Sequence, residues 1–206
     1  MAQSRKTILM KTMVIGLSLL LLFQVFKSEK NVAISLEERA LQAKTFCTKE
    51  GMNQNYAILI DMSIHSGKKR LFVWDFNQNK MIKKGMCSHG SGPKSWSNDD
   101  SKINPRFSNV VNSHYSSLGK YKIGKRGWSN FGIHVNYKLH GLDSSNSNAY
   151  KRIIVLHSWN IMPHEEVYPK GAPESWGCPA VSNTFMHELD SLLRPEKDVL
   201  LWIYND

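Results

Sequence analysis

Short stretches rich in β-branched and aromatic residues follow one another along most of this chain, each closed by turn residues. A chain patterned this way buries its apolar surface chiefly as a sheet. NYAILIDMSI (55–64), RLFVWDF (70–76) and MIKKGMCSH (81–89) are separated by HSGKK and NQNK, which predicts an antiparallel meander. Strand patterns resume in GKYKIGKRG (119–127), FGIHVNYKLHGL (131–142), RIIVLHSW (152–159) and the terminal VLLWIYND. The polar, Gly/Ser/Asn-laden segment from Gly90 to Ser117 reads as a long functional loop. Two helices interrupt the strands. Ser35 and Glu38 stand at capping-box spacing ahead of a helix from about Leu36 to Cys47. Ser182 caps a second, in which Phe185, Met186, Leu189, Leu192 and Leu193 recur on one face as core residues. The expected fold class is mainly β with a few helices, a β-sandwich or open barrel.

The first thirty residues belong to targeting. MAQSRKTILMK carries Arg5, Lys6 and Lys11, and the apolar run MVIGLSLLLLFQVF (13–26) follows, the pattern of a secretory signal peptide. Ile8 to Phe26 would also serve as a membrane anchor if Lys11 snorkels. The chain therefore divides into a leader or anchor over 1–30, an N-terminal helical segment over 31–54 and one globular domain over 55–206. The net charge of +10 asks for an anionic partner. Basic residues are dispersed, the longest run, Lys68-Lys69-Arg70, falls at an expected turn, and no nucleic-acid motif is present, so nucleic acid is not the expected partner. Export bears on the three cysteines, Cys47, Cys87 and Cys178, because an oxidising compartment leaves an odd one unpaired. A Cys47–Cys87 bridge is geometrically possible and would leave Cys178 free.

Cys178 lies in ESWGCPAVSN (174–183), between a glycine that permits an unusual dihedral and a proline that keeps the cysteine extended. A capped helix begins a few residues later, so the thiol sits on a strand-to-helix corner, where the N–H groups of Gly177 and Cys178 could meet a developing oxyanion. His157 stands 21 residues upstream (178 − 157), where the buried strand RIIVLHSW runs out. The intervening loop leads back to the cysteine corner. An imidazolium beside a thiol lowers its pKa into the reactive range, so the pair suits nucleophilic catalysis. A buried thiol and a satisfied core histidine are the structural alternatives.

RIIVLHSWN followed by ESWGCPAVSNTF resembles the active-site segment of the L,D-transpeptidase catalytic domain, in the branch that reads S-W-G-C-P rather than S-H-G-C. RLFVWDFNQNKMIKKGMCSHGSG, PRFSNVVNSHYSSLGKYKI and LHGLDSSNSNAYKRIIVLHSW resemble that branch as well, so the likeness runs from about Tyr56 to Tyr204. It implies a β-sandwich-like domain of the bacterial cell envelope, periplasmic or anchored to the inner membrane, that processes peptidoglycan stem peptides. By the same resemblance Cys178 attacks the carbonyl preceding a terminal D-amino acid, His157 is its base, and Ser158 orients the imidazole through its backbone carbonyl. The thioester then passes to an amine, giving a cross-link, or to water, giving a trimmed tripeptide.

Two departures from the commoner motif bear on the substrate. Trp176 replaces a histidine, and no arginine follows the cysteine to hold a carboxylate, so Arg152, Arg106 and Lys170 become the candidates for that grip. Trp176 and Trp159 are candidate cleft walls, and His89 a candidate residue near the substrate. His157, His164 and Cys178 are zinc-competent types, but their spacing matches no zinc signature, and no metal or cofactor is expected. A non-catalytic wall-binding protein is the alternative from another class, and retention of both Cys178 and His157 argues against it.

Overall fold

The computed structural model describes residues 34–93 and 104–205. The expected leader over 1–30 and the middle of the long loop lie outside the described residues. Helix α1 (Leu36–Lys49) opens with the expected capping box, Ser35 Oγ accepting from the Glu38 N–H at 3.2 Å while the Ser35 N–H donates to Glu38 Oε2 at 3.0 Å. Strands β1 (Tyr56–Asp61), β2 (Leu71–Asp75) and β3 (Lys80–Gly85) form the expected antiparallel meander. Strands β4 (Gly119–Trp128), β5 (Val135–Gly141) and β6 (Val155–Ser158) form a second antiparallel run. The chain then adds the two-residue strand β7 (Ala180–Val181), helix α2 (Asn183–Leu193) and strand β8 (Leu200–Tyr204).

Strand β8 inserts between β1, to which it is parallel, and β4, to which it is antiparallel, giving one sheet in the order β3-β2-β1-β8-β4-β5-β6-β7. The two ends of that sheet almost meet. Just past β3, the Ser88 N–H donates to the Ala180 carbonyl and the Ala180 N–H donates to Ser88 Oγ, both at 2.9 Å. Among the described residues the architecture is thus a nearly closed eight-stranded barrel with two α-helices.

The apolar run of β1 is buried on both faces, which is why it shows no alternation. Ile58 and Ile60 join a cluster with Phe185, Met186, Leu189 and Leu193 of α2. Ala57 and Leu59 face the other way, against Ala40, Ala43 and Cys47 of α1. This two-sided burial separates the cysteines: Cys47 lies in the α1 cluster and Cys87 in the α2 cluster. Both are buried free thiols, so the contemplated bridge is not formed. Burial pushes the Cys47 thiol up to about 11 and the Cys87 thiol up to about 12.

Charged groups tie α2 to the sheet, Glu188 to Lys83 of β3 at 2.8 Å and, more deeply buried, Asp190. The carboxylate of Asp190 is buried and accepts from Arg126 Nε (2.6 Å) and Nη2 (3.0 Å), from Tyr137 Oη (2.7 Å) and from Arg194 Nη2 (2.6 Å). Hydrogen bonds from Arg126 chiefly hold its carboxyl well below the usual range. Both guanidinium groups are partly solvated, so we expect Asp190→Ala to cost about 2 kcal/mol rather than the full penalty of a broken buried pair. A depressed pKa stabilises the fold above the unfolded carboxyl value and loses that contribution as pH falls. The gap in thermal midpoint between wild type and Asp190→Ala should therefore be full at neutral pH and shrink below about pH 4. A gap independent of pH would contradict the ionic account.

Candidate active site

The cysteine corner is fastened from both ends of the sheet. Ser175 joins Gly90 in an isolated parallel bridge, its N–H donating to the His89 carbonyl (2.8 Å) and its carbonyl accepting from the Ser91 N–H (2.8 Å). Ser175 Oγ donates to the Cys178 carbonyl at 2.6 Å, and Ser88 Oγ donates to the same oxygen at 3.0 Å. Gly177 takes φ = +103°, a value open essentially to glycine alone, and so turns the chain. Beyond the corner Pro179 accepts from the His157 N–H (3.3 Å), β7 pairs in parallel with β6, and Ser182 Oγ caps α2 by accepting from the Phe185 N–H.

His157 lies in β6 opposite Ala180, with its ring largely buried. Its Nδ1 is 2.9 Å from the Ser158 carbonyl. A carbonyl can only accept, so Nδ1 carries the proton of the neutral ring and Nε2 keeps a lone pair. The Ser158 hydroxyl accepts from the Ile133 N–H at 2.9 Å and so holds the 131–134 turn, which brings the Phe131 ring to 5.5 Å from the imidazole. Phe131, His157, Trp159, Ser175, Trp176 and Cys178 together line a cavity of about 250 Å³. Its walls are mainly aromatic. Trp159 stands edge-on to Phe131 at 6.2 Å, and the exposed Trp176 stacks on His114 at 4.8 Å. The sequence therefore identified four of these six residues as site candidates.

The Cys178 side chain is half-buried, with the Val155 N–H donating to Sγ at 3.5 Å and the Ile153 carbonyl 3.8 Å from Sγ. Burial raises the thiol pKa, opposed by the Val155 N–H and the Arg152 charge. Burial likewise lowers the pKa of His157, opposed by its bond to the Ser158 carbonyl. Both shifts disfavour a standing thiolate–imidazolium pair and so favour thiol with neutral imidazole over the ion pair expected from sequence. We therefore predict that Cys178 alkylation by iodoacetamide, followed by peptide mass spectrometry, slows steadily as pH drops from 9 to 6. A rate plateau extending well below pH 7 would restore the ion pair.

Three expected roles need correction. The Gly177 N–H donates to Ser175 Oγ at 3.2 Å, so it is engaged within the corner rather than open to an oxyanion. Among the described residues nothing accepts from the Cys178 N–H. Arg152 directs its guanidinium at the Ser108 carbonyl (2.8 Å), the Tyr115 carbonyl and the hydroxyls of Ser117 and Ser113, and so fastens the loop behind the corner instead of facing the cavity. His89 is buried behind the corner with its ring against Phe107, and burial with the nearby Arg70 charge pushes its pKa down to about 3. It contributes its carbonyl to Ser175, not its ring to a substrate. Arg106 and Lys170 do not line the cavity either.

Phe131, Ser88 and the Ile153–Val155 backbone carry roles that sequence reasoning did not assign. Ser88 stands within a segment quoted for its family likeness, whereas the turn that places Phe131 left no separate signal.

The sequence matches the family described as the L,D-transpeptidase catalytic domain over residues 28–204. Among curated proteins no significant match is found. Among solved structures the chain is similar to an L,D-transpeptidase from Xylanimonas cellulosilytica at 15% identity and a TM-score of 0.41, covering 78% of this chain and 68% of that one. It is also similar to the Ldtfm-avibactam carbamoyl enzyme (11%, TM-score 0.44, covering 75% and 50%). A third likeness is to the helical cell shape determining protein Pgp2 from Campylobacter jejuni (11%, TM-score 0.42, covering 74% and 49%). The chain spans about half the length of the latter two.

Proposed function

The chain belongs to the L,D-transpeptidase catalytic-domain family, and from that premise we propose that it is a cysteine-dependent acyltransferase acting on peptidoglycan stem peptides in the cell envelope. The observation that carries this reading is the shared cavity of Cys178 and His157, with Nδ1 committed to the Ser158 carbonyl and Nε2 left to work as a base. The neutral pair prescribes the order of events. As Cys178 Sγ attacks the carbonyl preceding the terminal D-amino acid, Nε2 takes the thiol proton. The Cys178 N–H donates to the oxygen as it becomes negative. Collapse breaks the peptide bond, Nε2 returns the proton to the leaving amine, and a thioester remains on Cys178. An incoming amine then attacks the thioester, gives its proton to Nε2, and the thiol is restored. Attack by water instead makes the enzyme an L,D-carboxypeptidase. Walls of Phe131, Trp159 and Trp176 favour an organic amine over water, which is why we place transpeptidation first.

Residues 55–206 form the catalytic domain in this proposal. Helix α1 lies in the same compact unit, which begins at Ile34. Among the described residues no helix is long and apolar enough to cross a membrane, so any attachment would fall to the leader. The test is incubation of the protein with disaccharide-tetrapeptides, with products read by mass spectrometry. Dimer with released D-alanine supports transpeptidation, and tripeptide alone supports the carboxypeptidase. Absence of both products, with no thioester on the intact protein, would overturn acyl transfer.

A further inference from the structure

Trp176 stands two residues before Cys178 and lines the cavity that holds Cys178 and His157, yet it is 58% exposed. Core packing therefore does not hold its ring in place. Among the described residues its one ring contact is His114, whose imidazole lies 4.8 Å away and within 12° of parallel. Neither the indole N–H nor the ring nitrogens of His114 have a hydrogen-bond partner among the described residues. The stack is thus what orients both rings.

Only one of the two rings is anchored through its backbone. His114 takes φ = +58°, a left-handed conformation that histidine tolerates better than most side chains. Its carbonyl accepts from the Gly92 N–H at 3.2 Å, and an added Cβ on Gly90 would lie 2.2 Å from the same oxygen. On the neighbouring residues the Arg152 guanidinium donates to the Tyr115 carbonyl and to Ser113 Oγ, the latter at 3.4 Å. The backbone of 113–115 is thereby clamped between the Gly90–Gly92 segment and Arg152. The imidazole becomes a fixed post for the indole to rest against, which gives the grip of Arg152 a purpose at the cavity it does not face.

Resting on the acyl-transfer reading, we infer that His114 is a positioning residue that pins Trp176 and thereby decides which nucleophile resolves the thioester. In either route the C–S bond breaks and the acyl carbon bonds to nitrogen or to oxygen. The proton of the nucleophile passes through His157 Nε2 to the sulfur. An acceptor amine arrives on an organic chain that needs an apolar wall to lie against, whereas water needs only an opening. With the indole pinned, the wall stands and water is kept from the acyl carbon. With the indole swung out, the seat of the acceptor is lost and water enters. Pinning costs the rotamer freedom of an exposed tryptophan, and the aromatic stack offsets that cost.

The test is the ratio of dimer to tripeptide that the full-length protein makes from disaccharide-tetrapeptides, read by mass spectrometry. A partly unfolded variant lowers both products alike, so the ratio reports positioning rather than stability. His114→Asn keeps a residue suited to the left-handed backbone but removes the ring. It should lower the ratio about fivefold, the factor by which one lost aromatic pair repopulates the swung-out indole. His114→Phe restores a ring to stack and should hold the ratio within about twofold of wild type. Trp176→Ala should lower the ratio at least as far as His114→Asn, and combining the two should lower it no further. An unchanged ratio in His114→Asn, an equal fall in His114→Phe, or a further fall in the double variant overturns the positioning role and leaves acyl transfer intact. Tripeptide alone from the wild type likewise overturns selection of the amine. Absence of both products and of any thioester on the wild type removes the acyl-transfer reading and this inference together.

Discussion

A Cys178→Ala protein is expected to fold like the wild type and to release no D-alanine, a loss of at least about 10⁴-fold. The structure separates the two halves of that expectation. Among the described residues the sulfur makes two long polar contacts, to Val155 and Ile153, and Cys178 packs at the edge of the core cluster, while the corner is held by the Cys178 carbonyl, which the substitution leaves in place. Removing Sγ therefore takes away little packing, and the thermal midpoint should stay within about 2 °C. Without the sulfur no thioester can form, and neutral His157 has no thiol proton to take. The paired measurement is thermal denaturation with product mass spectrometry. Residual D-alanine release in a well-folded variant would place the nucleophile elsewhere.

Gly177→Ala should impair both stability and activity. Its φ of +103° is strained for alanine, and an added Cβ would lie 2.6 Å from the Tyr115 carbonyl oxygen and 3.1 Å from Arg152 Nη2. Neither neighbour yields freely, because the Arg152 guanidinium donates to that same carbonyl. The corner must move instead, carrying Cys178 with it. We expect a loss of about 2 kcal/mol, roughly 5 °C in thermal midpoint, and about a 10²-fold fall in turnover from misplaced sulfur. A variant with wild-type midpoint and turnover would mean that the turn accommodates a side chain and that Gly177 has no geometric duty.

The parts of this molecule that can be read from sequence are those whose cause is local. Capping side chains at Ser35 and Ser182 start their helices as expected, and the apolar density of 55–64 and 70–76 marks β1 and β2. Cys178 and His157 were legible because a glycine, a proline and the end of a buried strand announce themselves within a few residues. Where long-range contacts decide the backbone, the pattern misled. FGIH reads as strand, yet Gly132 and His134 adopt positive φ and the Ser158 hydroxyl bonds the Ile133 N–H, turning Phe131 over the imidazole. Ile153 likewise looks like strand and is a left-handed turn. Strand β7 is too short to show any period. Arg152 could not be placed at all, since its partners lie 35 to 44 residues away in sequence.

The Ser88 seam has a consequence for the timing of activity. The hydroxyl that bonds Ala180 also bonds the Cys178 carbonyl, and the two strands it unites are about ninety residues apart. Contacts across such a separation close late, after the loop entropy between them has been overcome. A chain whose sheet ends are still apart carries the thiol and the imidazole but no assembled corner. On the acyl-transfer reading proposed above, turnover should therefore wait until this seam has shut.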